Sequence, residues 1–86
     1  MVYTAHVINS FYDENAKTTT LEMIAGRQEV KYVVPGQINI QPNDIIEFYG
    51  ALPSRPPVFS HDTYVCAEIY RGNQIVGILN AQDYRQ

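Results

Sequence analysis

The chain has 86 residues, 45% hydrophobic and 17% charged, with a net charge of −3. That length gives one domain, residues 1–86, hiding roughly two-thirds of its unfolded surface, with no room for both a full core and a deep substrate cleft. The composition excludes disorder, and three basic against four acidic residues in positions 1–43, then three against five in 44–86, excludes a basic block for nucleic acid or an acidic tail.

Short runs of Val, Ile, Thr, Tyr and Phe alternate with Gly, Pro, Asn and Asp, and no stretch carries a helical apolar stripe. The first strand is expected from about Val2 to Tyr12, closed by the polar turn Asp13-Glu14-Asn15-Ala16-Lys17. The second runs from Thr18 to Ala25, with Leu21 and Met23 alternating against Thr20, Glu22 and Ile24. Gly26-Arg27 reverses the chain into Gln28–Val34, where Val30, Tyr32 and Val34 share one face and Glu29 and Lys31 the other, so 18–34 is a predicted hairpin.

Pro35-Gly36 breaks the run. Ile38 and Ile40 then alternate with Gln37, Asn39 and Gln41, the pattern of a short edge strand. Gln41-Pro42-Asn43-Asp44 is a turn, and Asp44–Gly50 a strand with Ile46 and Phe48 inward and Ile45, Glu47 and Tyr49 outward. Pro53, Pro56 and Pro57 make 51–62 a long loop. Thr63–Tyr70 is expected to place Val65, Ala67 and Ile69 opposite Tyr64, Cys66, Glu68 and Tyr70, and Arg71-Gly72-Asn73 to turn into a last strand, Gln74–Leu79, before a polar tail over 80–86.

These elements give an all-β, single-domain fold of about five to six short antiparallel strands, a small barrel or a compact sandwich. The run Asn43-Asp44-Ile45-Ile46-Glu47-Phe48-Tyr49-Gly50, after a twisted hairpin and an irregular crossover, resembles the strand that opens with a turn and Asp and closes with Gly in OB-type barrels. The same run also suits SH3-like barrels. The likeness spans about Thr4 to Ile69 and departs from the OB pattern over Pro35–Asn43, too short and broken for the helix that usually precedes that strand. It implies ligand binding through one face and its loops.

No constellation for catalysis, cofactor or metal is visible. Cys66, the only cysteine, sits mid-strand between Val65 and Ala67, and the spacing of His6, His61, Asp62 and Cys66 matches no zinc pattern. Glu47 and Glu68 share a predicted outer face, which suits solvated strand carboxylates better than acid–base work. One cysteine forms no internal disulfide, and Met1–His6 has no basic and apolar signal segment, so the expectation is a cytoplasmic protein with no membrane segment.

The chain therefore reads as a non-catalytic binding module. Seven tyrosines suit strands, and equally an interface. The candidate partner-binding residues are Tyr49, Arg55, Phe59, Tyr64, Tyr70 and Arg71. Leu52–Phe59 is either an interaction loop anchored by Arg55 and Phe59 or a cover pinned across an open end by Val58 and Phe59. The period places Tyr49 beside Glu47, and Tyr64 and Tyr70 beside Glu68; carboxylates around the rings favour a protein partner, or a second copy of the chain, over single-stranded DNA or RNA, which stacking tyrosines and the cations Lys17, Arg27, Arg55 and Arg71 would otherwise suit. Gln37–Gln41, without lysine or inward charge, is the edge expected to permit strand-to-strand self-association.

Overall fold

The computed structural model describes residues 1–84 and holds six strands: β1 Val2–Asp13, β2 Thr18–Ala25, β3 Gln28–Pro35, β4 Ile45–Tyr49, β5 Cys66–Arg71 and β6 Gln74–Asn80. All pair antiparallel in one sheet, in the order β3-β2-β1-β4-β5-β6. The long β1 joins the two halves: Val2–His6 pairs with β4 and Ala5–Asp13 with β2, and a bulge at Ile8 bends the strand where its allegiance changes. The β2–β3 and β5–β6 reversals each place a glycine, Gly26 and Gly72, at φ +64°. At the β1–β2 turn, Asp13 Oδ1 accepts from the amides of Asn15 and Ala16, an Asx turn built by the polar run.

Alternation sets the inner face. Ala5 and Val7 of β1, Leu21 and Met23 of β2, Tyr32 and Val34 of β3, Ile46 and Phe48 of β4, Ala67 and Ile69 of β5 and Leu79 of β6 are all buried. Adjacent strands lie about 4.8 Å apart, so in a flat sheet β3 would stand roughly 14 Å from β4. Yet the rings of Tyr32 and Phe48 are 6.2 Å apart. The sheet has curled over its own core. It does not close into a barrel, because β3 pairs only with β2 and β6 only with β5.

Two crossovers cover the open side. Residues 36–44 form no strand: the expected edge Gln37–Gln41 is irregular chain, with Ile40 buried and Ile38 half-buried against the core. Its backbone is spent locally, since the Ile38 amide donates to Thr19 Oγ1 and the Ile40 amide to the Ile38 carbonyl. Apolar side chains here are consumed by capping the sheet instead of extending it. The second crossover, 51–65, begins at Gly50, whose φ of +67° turns the chain out of β4 and whose missing Cβ would stand 2.6 Å from Val65 Cγ2. At its far end the predicted phase slips. A bend at Val65 delays β5 to Cys66, leaving Val65 64% exposed and Tyr64 buried, the reverse of simple alternation. The expected polar tail starts as a 3-10 turn, Ala81–Tyr84, that buries Ala81 and packs Tyr84 on the core; its last two positions lie outside the described residues.

Candidate functional site

The outward side chains of β4 and β5 form a connected polar cluster. Register sets Glu47 directly opposite Glu68, Tyr49 opposite Cys66 and Ile45 opposite Tyr70. Like charges facing each other across two strands are unfavourable. The phenols relieve this. The Tyr49 hydroxyl lies 2.5 Å from Glu47 Oε2 and 2.8 Å from Glu68 Oε1, and Tyr70 donates to the same Glu68 oxygen at 2.9 Å. The carboxylates of Glu47 and then Glu68 push the Tyr49 phenol far above its ordinary range, and Glu68 raises Tyr70. Both phenols stay protonated at any physiological pH. The two carboxylates are thus joined through the phenol of Tyr49.

Around it the same face carries apolar side chains that nothing covers. In the register, Ile78 lies opposite Glu68, Ile75 opposite Tyr70, and Val2 opposite Tyr49. Ile78 is 59% exposed, Val2 52% and Ile75 51%. Thr4 and the half-buried Cys66 complete the surface beside Glu47 and Tyr49.

The six predicted partner-binding residues divide. Tyr49 and Tyr70 stand together on this face. Phe59 and Tyr64 do not reach any surface: both are buried, Phe59 stacked on Phe48 at 4.4 Å and edge-on to Tyr3 at 5.9 Å, Tyr64 edge-on to Phe48 at 5.0 Å with its hydroxyl 2.8 Å from that of Tyr32. They plug the curl, so the loop is pinned by Phe59, while Val58, the other expected pin, stays exposed. Arg71 is committed internally. Its Nε and Nη2 fork onto Asp44 at 3.0 and 2.9 Å, Asp44 is buried, and the Gln41 amide donates to the same carboxylate. The Arg71 hydrogen bonds hold the Asp44 carboxyl below the usual range against the opposing effect of burial. Arg55 is exposed and lines a separate shallow cleft of about 570 Å³ with Met1, Tyr3, Gly26, Ser54 and Pro57, a lining without a carboxylate.

Sequence reasoning passed over Val2, Ile75 and Ile78 as surface residues. The signal was the lack of any charge in Gln74–Asn80. Among the described residues, no three His, Cys, Asp or Glu side chains gather as metal ligands. No helix among them is long and apolar enough to cross a membrane. Comparison with protein-family models, with curated proteins and with solved structures finds no match for this chain.

Proposed function

We propose that this is a non-catalytic binding module that takes a protein partner on the outer face of β4 and β5. The observation that carries this reading is the carboxylate pair Glu47–Glu68, held face to face by Tyr49 and Tyr70 inside a ring of exposed Val2, Ile75 and Ile78. A sheet gains nothing in stability from opposed glutamates, and a local rule broken on an exposed face is a mark of function. Fixed negative charge beside open apolar side chains complements a partner segment that alternates lysine or arginine with aliphatic residues. The lone, half-buried thiol suits a reducing compartment, and we keep the cytoplasm as its place.

The second reading, an OB-like module for single-stranded DNA or RNA, draws on Arg55 in its carboxylate-free cleft. It is the weaker one. The two tyrosines that would stack bases are hydrogen-bonded to carboxylates, which repel phosphate.

Two titrations separate them. A labelled peptide alternating lysine and valine should shift the backbone amide resonances of Thr4, Glu47, Tyr49, Glu68 and Tyr70, and the double change Glu47→Gln, Glu68→Gln should weaken binding at least tenfold without unfolding the domain. A labelled oligothymidylate should show no anisotropy change below about 100 µM at low salt, a range even non-specific nucleic-acid binders reach. Salt-dependent oligonucleotide binding, or peptide shifts confined to the Arg55 cleft, would reverse the assignment.

A further inference from the structure

The open sheet has two free edges, and they are not alike. Edge β3 carries the exposed charges Glu29 and Lys31, the latter reaching Glu22 at 3.9 Å, and ends at Pro35. Charges and proline are what natural sheets use to keep strangers from pairing with an edge. Edge β6 reads Gln-Ile-Val-Gly-Ile-Leu-Asn, without a charge or a proline, and pairs only with β5. Its one irregularity, at Ile75–Val76 opposite Tyr70, leaves Gly77–Asn80 as regular strand. The self-association that sequence alone assigned to Gln37–Gln41 has no strand there to use, but the same physics applies at β6.

We infer that β6 is a docking edge for the β6 of a second copy of this chain, paired antiparallel about a twofold axis. The inference rests on the reading of the chain as a binding module and adds the partner and the strand. Self-complementarity decides the occupant. A twofold pairing sets each side chain near its own copy or its mirror mate, which penalises any charged strand; β6 opposes only aliphatic and amide groups. Centred on Ile78, the pairing keeps inward Gly77 opposite inward Leu79 and places the two Ile78 side chains together on the outer face, in line with the parity that β5 imposes. Asn73 of the turn and Gln74 at the start of β6 then reach the Asn80–Asp83 end of the other copy, where amides meet amides and one carboxylate. Because β3 is guarded, the assembly closes at two copies instead of running on as a fibre.

One strand pair with a few aliphatic contacts is small beside the ~1,600 Å² of a standard interface, so the dimer is expected to be weak, half-formed near ~100 µM. Sedimentation equilibrium of the whole chain from roughly tenfold below to tenfold above that concentration is the test. The apparent mass should climb from 9.8 kDa toward twice that value. Ile78→Lys should hold it at the monomer value at every concentration, with its circular dichroism spectrum unchanged; if that variant does not fold, Ile75→Lys serves, its side chain being exposed too. A wild-type mass that never rises, a mass that passes two copies, or a dimer that survives the lysine overturns the inference. A monomer that still binds the lysine–valine peptide sinks this inference alone; a dimer indifferent to the peptide sinks only the face assignment.

Discussion

Asp44 shows how one side chain organises a junction. Its carboxylate receives two hydrogen bonds from Arg71 and one from the Gln41 amide, while its carbonyl accepts from the Val7 amide at the β1 bulge. A single residue thus ties the first crossover to β1 and to the end of β5. Hydrogen bonds to charged groups contribute about 1.5–3 kcal/mol each at most, and shared geometry makes them less than additive. Asp44→Asn is therefore expected to cost about 2 kcal/mol in urea unfolding. The pH dependence follows from the lowered folded value: the contribution is complete above about pH 4, where aspartate ionises in the unfolded chain, and is lost as the pH falls through the folded value. The variant should lack that part of the acid decline. Sequence marked Arg71 by residue type as an interface cation; nothing local could announce a carboxylate 27 positions away.

At the scale of elements, the strands were legible and the crossovers were not. Thr18–Ala25 and Gln28–Val34 follow from period-2 alternation, and the register pairing Ala25 with Gln28 follows from a two-residue turn with glycine first. The crossover 51–65 has no period to read. Its cohesion comes from Phe59 and Tyr64, which fill the curl, and from Tyr3, whose hydroxyl donates to the Ser54 carbonyl. Phe59→Ala should cost about 3 kcal/mol or more by leaving a cavity against Phe48, and should raise amide exchange across 51–65 before the sheet itself opens. Val58→Ala, one residue away and exposed, should change stability by no more than about 0.5 kcal/mol. Equal effects at the two positions would mean the loop is not pinned as described.

At the scale of the molecule, curvature is what makes a core out of one sheet. Six strands with a single buried face need a second layer, and this chain supplies it by bending at the β1 bulge and folding two loops under the sheet. The hydroxyls of Tyr32, on the far edge strand, and Tyr64, in the crossover, meet only once the curl is complete. Burial raises the Tyr32 phenol above its ordinary value, so that hydroxyl stays protonated. Tyr64→Phe should cost about 1–2 kcal/mol by taking the partner from the buried Tyr32 hydroxyl, whereas adding Tyr32→Phe to it should cost clearly less than the sum of the two single changes. Strict additivity would show that the two hydroxyls are satisfied separately.

Alternation, turn chemistry and composition were enough to determine the all-β class, an antiparallel set of about five to six strands, which faces of β2, β3 and β4 are apolar, and the outward placing of Glu47, Tyr49, Glu68 and Tyr70, though the same period also put the buried Tyr64 on that surface. These are short-range properties, fixed by side chains two apart and by residues that permit a reversal. Only the tertiary structure decided that Phe59 and Tyr64 are core, that Arg71 is engaged, that Gln37–Gln41 caps instead of pairing, and that β6 is the unguarded edge. Each of those depends on which distant segment lies across the bend in β1, and a linear pattern carries no information about what it will face.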